Sequence, residues 1–471
     1  MARVITVDSQ DAVIVAGTSG SGSDCVTVKY SAEGVPLWTN RYPFTGPRAV
    51  ATSPAGDVYV AGFSPPTPGQ SQPDLVLLAY TSGGIPISTN RFVGLVTATP
   101  TSYRPDVFIA TNGTAFLAGD WNFGAPNYKD AVTAACAANG QVLWTNYYNH
   151  ISGLNSIQND YGMAVTLGGD GRVFVTGKSF GVGRHDIATI AYSNSGIALW
   201  TNRYVGTYDS EPRAIVTDVG GNVYVAGSTI QQNAAENFVT LACASDGTPL
   251  WTNIYVGTKP GPDVAQAIAT DARSNVFVTG FSTGIYSTSP GYGYDYATLA
   301  YSPSGIPLWT NRYTIAGNYE DVSTAIAVDR NGNVFVTGYS SSGTNYDYAT
   351  IAYAGDGTPV WTNRYNGPAN SGDYATGIAI DNSNNVIVTG YSISSFGGND
   401  FLTIKYAALP PIAHLGMQLQ PNQIVLTWTN VGFQLQSAPS VAGVFTNVAG
   451  ATSPYTNLLN ASQQFFRLIG N

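Results

Sequence analysis

The feature that most constrains this chain is that most of it is one unit repeated eight times. Residues 323–365 show the unit best: Ser-Thr-Ala-Ile-Ala-Val-Asp-Arg-Asn-Gly-Asn-Val-Phe-Val-Thr-Gly, a polar loop, Asp-Tyr-Ala-Thr-Ile-Ala-Tyr, a turn, then Pro-Val-Trp-Thr-Asn-Arg-Tyr. Four short runs rich in β-branched and aromatic residues alternate with turn residues, which predicts four strands. Asn331-Gly332 and Asp356-Gly357 are read as tight hairpin turns, the first of type I′ with positive φ at both residues. The predicted second strand ends in Gly at Gly17, Gly62, Gly119, Gly177, Gly227, Gly280, Gly338 and Gly390, a spacing of about 53 residues. The fourth-strand motif, Thr-Asn preceded by Trp or once by Ser, starts at Trp38, Ser88, Trp144, Trp200, Trp251, Trp309 and Trp361. Eight copies of three strands therefore come with seven fourth strands.

The middle runs are apolar on both faces, and a single four-stranded sheet cannot bury two apolar faces. Sheets stacked in tandem can, and a closed ring leaves no face bare. Wedging sheets around an axis requires small residues innermost, as in Ala267-Ile-Ala269, Ala325-Ile-Ala327 and Gly377-Ile-Ala379. The expected fold is all-β: a β-propeller over residues 1–406, of eight blades rather than seven, each a four-stranded antiparallel sheet. The eighth blade lacks a recognisable fourth strand, so it is expected to be three-stranded, to be completed by residues near 409–418, or to have lost its partner with a missing N-terminal segment. Ala-Ala-Leu-Pro-Pro (407–411) reads as a stiff linker. Residues 412–471 carry short alternating strands that suggest a small β-sandwich-like module.

Residues 327–339, Ala-Val-Asp-Arg-Asn-Gly-Asn-Val-Phe-Val-Thr-Gly-Tyr, resemble the bacterial seven-bladed-propeller (SBBP-type) repeat and, more loosely, NHL repeats. Ala300-Tyr-Ser-Pro-Ser-Gly305-Ile-Pro-Leu-Trp309 is similar to the tryptophan-docking motif of PQQ-type propellers. It is one residue shorter and has Ser302 in place of Asp, so no quinone or other cofactor is expected. The C-terminal module resembles an abbreviated fibronectin-III-like domain. These resemblances imply a fold and name no reaction.

Charged residues are only 10% of the chain, and the formal net charge is −9. No basic face is in sight, which argues against a nucleic-acid partner. No apolar run approaches the ~20 residues of a membrane-spanning helix. Cys25, Cys136 and Cys243 do not make a disulfide framework; Cys136 and Cys243 lie two repeats apart, where other repeats have the Tyr that ends the third strand, and read as small buried hydrophobes. The start, Met-Ala-Arg-Val-Ile-Thr-Val-Asp, has no signal-peptide core. The Asn/Thr/Tyr-rich, Lys-poor composition nonetheless leads us to expect an extracellular or cell-surface monomer whose leader is missing from this sequence.

An acid or amide precedes each third strand: Asp24, Asp74, Asp130, Asp186, Asn237, Asp295, Asp347 and Asp400. Because Asn237 keeps the acceptor but not the charge, these are expected to clamp loops by accepting backbone N–H groups. The fourth-strand arginines Arg41, Arg91, Arg203, Arg312 and Arg364 are expected to guard an exposed sheet edge. Asp329-Arg-Asn-Gly-Asn333 lacks the closing acid of a calcium loop and reads as a turn.

A function required once belongs where the repeat breaks, in the loops between second and third strands and between blades. These hold the candidate ligand-binding residues Arg104, Trp121, Tyr128, Tyr208, Tyr292 and Tyr294, aromatics beside polar groups of the sort that stack on sugars. The leading reading is a non-catalytic binding or scaffold propeller that engages a glycan or protein through this loop face. The alternative is a polysaccharide lyase, with His150, His185, Tyr161 and Arg184 as base and cation. A glycoside hydrolase would instead use Asp160, Asp209 and Glu211.

Overall fold

The computed structural model describes residues 1–19, 24–43, 46–65, 74–92, 106–122, 129–150, 159–231, 235–284, 293–315, 319–408, 415–428, 433–441, 443–458 and 463–470. It divides the chain into two units, Met1–Ala407 and Ala408–Asn471. The second unit holds two three-stranded sheets closing on Ile424, Leu426, Trp428 and Leu435.

The first unit is a β-propeller. Among the described residues it holds seven four-stranded antiparallel sheets and one of three strands, each with its strands in sequence order. Each core lies between two blades rather than within one. Tyr224, Ala226 and Phe238 of blade 5, for example, pack against Val276, Val278 and Leu299 of blade 6. Blade 8 (Asp373–Ile380, Val386–Ile393, Asn399–Tyr406) is three-stranded among the described residues, outside which 409–414 lie, and closes the ring by packing face to face on blade 1 (Ala2–Val7, Val13–Ser19, Asp24–Tyr30, Pro36–Tyr42). Ala2, Val13, Val15 and Ile387 form the buried seam, with Phe401 against it. Thr376 Oγ1 donates to Ala2 O at 3.2 Å, and Asn382 N–H to Asp11 Oδ1 at 2.7 Å.

The turns differ from the expected two-residue hairpins. At 329–333 positive φ falls on Gly332 alone (84°), and the loop is closed by Asp329 N–H to Asn333 O and Gly332 N–H to Asp329 O. The Asp329 carboxylate accepts Asn331 N–H, Asn333 N–H and Asn333 Nδ2–H at 2.8–2.9 Å. One side chain thus satisfies donors that a type I′ turn would not present, and only one left-handed residue is needed.

Of the fourth-strand arginines, Arg41 and Arg91 are exposed as expected, whereas Arg203, Arg312 and Arg364 depart from expectation. Arg312 turns inward: Nη2 meets Asp295 Oδ2 at 2.7 Å and Thr283 O at 3.0 Å, while Nη1 meets Tyr255 Oη of the preceding blade at 3.1 Å. Arg203 does the same with Asp186 and Tyr148, and Arg364 with Asp347 and Tyr313. A planar fork of donors can serve a carboxylate, carbonyls and a neighbour's hydroxyl together. These acids therefore clamp through guanidinium rather than through the expected backbone N–H. Blade 5 lacks both partners, with Asn237 for the acid and Ile254 for the base.

In blades 1, 3, 4, 5 and 6 the Trp nitrogen stitches the blade to the next, and in blade 2 Ser88 Oγ does so. Trp251 Nε1 donates to Pro303 O at 2.9 Å, and Trp309 Nε1 to Gly355 O at 3.1 Å. Beneath Trp251 lies Gly305, at φ 80°, where a Cβ would sit 2.5 Å from the Trp251 Cγ. Gly305→Ala is expected to lower the unfolding free energy by about 2 kcal/mol, from left-handed strain and displaced packing. The check is a lowered denaturant midpoint at unchanged m-value.

Candidate functional site

Each first strand begins, each second strand ends and each third strand begins on the same face of the ring, the loop face. Antiparallel register brings three positions together there. They are the second residue of the first strand, the residue after the second-strand Gly, and the first residue of the third strand. In blade 4 these are Tyr161, Lys178 and His185: Tyr161 pairs with Lys178, and His185 pairs with Phe180 two residues further on. Period-two alternation puts all of them on one side of the sheet.

Around blades 3 to 5 this rim is charged. Lys178 Nζ lies 3.2 Å from Glu211 Oε2, and Arg213 Nη2 lies 3.0 Å from Glu211 Oε1. Lys129 Nζ contacts Asp120 Oδ2 at 3.1 Å and stands 5.2 Å over the Tyr161 ring. The His185 ring packs edge-on against Phe180, with centroids 5.3 Å apart, and beside Tyr161 at 6.5 Å. Asp209 Oδ1 accepts His185 N–H at 2.6 Å and lies 3.4 Å from its Nδ1. Burial and the Lys178 charge hold the His185 imidazole below its usual pKa, against the pull of Asp209 and Glu211. Burial would raise the Asp209 carboxyl, but the His185 N–H and the charges of His185 and Lys178 outweigh it and lower it. The surroundings thus bias the imidazole towards its neutral form and the Asp209 carboxyl towards its anion.

Around blades 7 and 8 four of the six equivalent positions are aromatic, the others being Val322 and Asn399. Tyr374 and Tyr391 stack at 5.1 Å with 25° between planes. Tyr339 meets Tyr346 at 5.3 Å and Tyr374 at 5.2 Å, closing a four-ring cluster that is half-buried. Tyr346 Oη donates to Glu320 Oε2 at 2.8 Å. Amides border the rings: Asn345 Nδ2 reaches Asn366 Oδ1 at 3.2 Å, and Asn366 Nδ2 reaches Asn370 Oδ1 at 2.7 Å.

Of the residues singled out from sequence, Tyr161, His185, Asp209 and Glu211 converge on the charged rim. His150 lies apart, with Arg203 and Asp186 as its electrostatic neighbours. Arg184 pairs with Asp186 at 3.5 Å. Asp160 is fully buried, accepting Ser179 Oγ–H and, at 3.0 Å, His150 N–H. Asp263 and Asp321 repeat this geometry with Ser282 and Ser340, so Asp160 is a blade-to-blade clamp. Tyr208 is exposed, and Tyr294 lies on Phe281 at 4.6 Å. Arg104, Tyr128, Tyr292 and the Trp121 side chain lie outside the described residues.

Sequence reasoning missed Lys129, Lys178 and the tyrosine cluster. A signal existed. The residue after the second-strand Gly is Thr18, Phe63, Asp120, Lys178, Ser228, Phe281, Tyr339 or Tyr391, variable within an otherwise uniform strand.

An all-β ring of antiparallel four-stranded sheets defines the chain as a propeller, and comparison with known proteins agrees. Residues 309–347 match the SBBP family, described as a beta-propeller repeat. The Dos1 propeller superposes with a TM-score of 0.50 at 8% identity, over 82% of this chain and 89% of that one. The polysaccharide lyase Uly1 gives a TM-score of 0.44 at 12% identity, over 76% and 88%. No curated protein sequence matches the chain. Identities this low show the fold alone.

The buried clamps set a pH dependence. Burial pushes the carboxyls of Asp160 and Asp321 up to about 6, against the Ser hydroxyls and backbone N–H groups that favour the anion. Their folded pKa exceeds the unfolded value near 3.8, so their contribution to stability is full below that pH and is lost as pH rises through about 6. His185 has the opposite sign, its contribution fading as pH falls below 6.5. Asp321→Asn, neutral at every pH, is expected to flatten the decline in stability between about pH 4 and 6. Urea unfolding at stepped pH is the measurement, and an unchanged slope would count against the buried-acid account.

Proposed function

We propose that this protein is a non-catalytic carbohydrate-binding propeller that works outside the cell or at its surface and takes its ligand on the loop face. The observation that carries the reading is the cluster of Tyr339, Tyr346, Tyr374 and Tyr391, half-exposed and bordered by Glu320, Asn345, Asn366 and Asn370. Ring faces suit the C–H faces of sugars, and neighbouring amides and carboxylates suit their hydroxyls. Among the described residues no helix is long and apolar enough to cross a membrane.

A second reading, polysaccharide lyase, is favoured by one feature. His185, biased towards its neutral form, sits between Asp209 and Lys178 beside Tyr161, which places a base near a cation. Incubation with uronate-containing polysaccharides would reveal it through the ultraviolet absorbance of an unsaturated product, lost in His185→Ala.

For the binding reading, glycan-array screening followed by calorimetry is the test. The double variant Tyr374→Ala/Tyr391→Ala is expected to weaken the best saccharide ligand by about tenfold or more while leaving the far-ultraviolet circular dichroism unchanged. Equal affinity in the double variant, or no saccharide bound by the wild type, would overturn it.

A further inference from the structure

In seven blades the first strand bulges near the loop face, between residues 2 and 4 in blade 1, 47 and 49 in blade 2, and 212 and 214 in blade 5, for example. A bulge leaves one residue without a partner in the sheet and re-aims its side chain. The innermost strands bring these residues to the axial channel. The bulged residue is Arg3, Arg48 and Arg213 in blades 1, 2 and 5, and is neutral in blades 4, 6, 7 and 8.

The three arginines line one cavity of about 480 Å3, walled by first strands from six blades. Asp106 is the acid of that wall among the described residues. Its carboxylate accepts Val165 N–H at 3.0 Å, and burial raises its pKa against the pull of that bond and of Arg48. Arg213 shares Glu211 with Lys178. Three guanidinium groups thus converge on the wall that Asp106 shares. Further along the same strands, an adjoining cavity that still includes Arg3 and Arg48 is walled by apolar residues such as Ile5, Val50 and Ile109. Concentrating guanidinium groups above an apolar wall, in a chain of net charge −9, creates a local positive potential that low-dielectric walls focus. Planar forks of donors suit carboxylate and sulfate oxygens. Thr376 of this cavity wall lies two residues along the same strand from Tyr374, and the charge of Arg3 reaches Tyr391, so the channel mouth adjoins the tyrosine cluster.

We propose that the mouth of the axial channel is an oxyanion subsite, formed by Arg3, Arg48 and Arg213, that takes the carboxylate or sulfate group of an acidic saccharide lying across the tyrosines. The saccharide part rests on the carbohydrate-binding reading above; the oxyanion part stands on the channel alone.

The probes are inorganic sulfate, glucuronate, and matched neutral and acidic oligosaccharides. Sulfate is expected to raise the wild-type melting temperature above that in chloride of equal ionic strength, and glucuronate tests the carboxylate arm in the same way. Arg48→Gln and Arg3→Gln should lose this effect, Arg48→Lys should retain part of it, and Met163→Glu should lose it without removing any arginine. The acidic oligosaccharide should bind about tenfold tighter than the neutral one, a preference that disappears in Arg48→Gln while neutral binding is kept. Anion stabilisation equal in wild type and variants, or absent from the wild type, would overturn the subsite. Saccharide binding without acid preference would overturn it too, and leave the carbohydrate reading standing. Arginine-dependent stabilisation by sulfate with no saccharide bound would uphold the subsite and remove the carbohydrate reading.

Discussion

Every sheet in the first unit has two apolar faces and no means of its own to dry both. That single constraint organises the propeller. Neighbouring blades supply the missing face, as Phe238 does for Val278, and the eighth blade supplies it for the first. Because the ring closes by face-to-face packing, a shared sheet is unnecessary, and blade 8 can remain three-stranded without leaving the ring open. The hydrogen bonds at the seam, from Thr376 to Ala2 O and from Asn382 to Asp11, fix the register of an interface whose stability comes from buried apolar area.

The second-strand glycines and the first-strand bulges are two aspects of one arrangement. At Gly177 a Cβ would lie 1.9 Å from Tyr161 O, and at Gly280 it would lie 2.0 Å from Val264 O. The bulged strand drives a carbonyl into the space a side chain would fill, so only glycine fits opposite it. In seven blades the same bulge sets one residue outside the strand ladder near the channel mouth. A packing requirement of the repeat therefore creates a ring of positions that the repeat itself does not constrain. Arg3, Arg48 and Arg213 occupy three of them.

The loop-face rim follows a similar logic. Position is fixed by register and identity is not, so one half of the ring carries Lys129, Lys178, His185 and Glu211 while another carries Tyr339, Tyr346, Tyr374 and Tyr391. Asp160, Asp263 and Asp321 lie one residue from these positions and do not vary in role, because each closes the connection into its blade. Adjacent residues on one strand thus divide into structure and chemistry according to which side of the sheet they face.

The sequence by itself determined the repeat, the strand order within a blade, the three-strand eighth blade as one of three outcomes, and burial of Cys136 and Cys243. These are local properties, carried by period-two patterning and turn residues inside about 50 positions. The type I′ turn at Asn331-Gly332 was misread because Asp329 reaches forward to hold a longer loop, a side-chain choice invisible to dipeptide rules. Arg203, Arg312 and Arg364 were misread because their partners, such as Tyr255 for Arg312, lie 57 positions away in the preceding blade. Only the tertiary structure could bring Arg3, Arg48 and Arg213 into one channel, or Tyr346 against Tyr374. Those pairs belong to different sheets, and the closure of the ring sets their proximity.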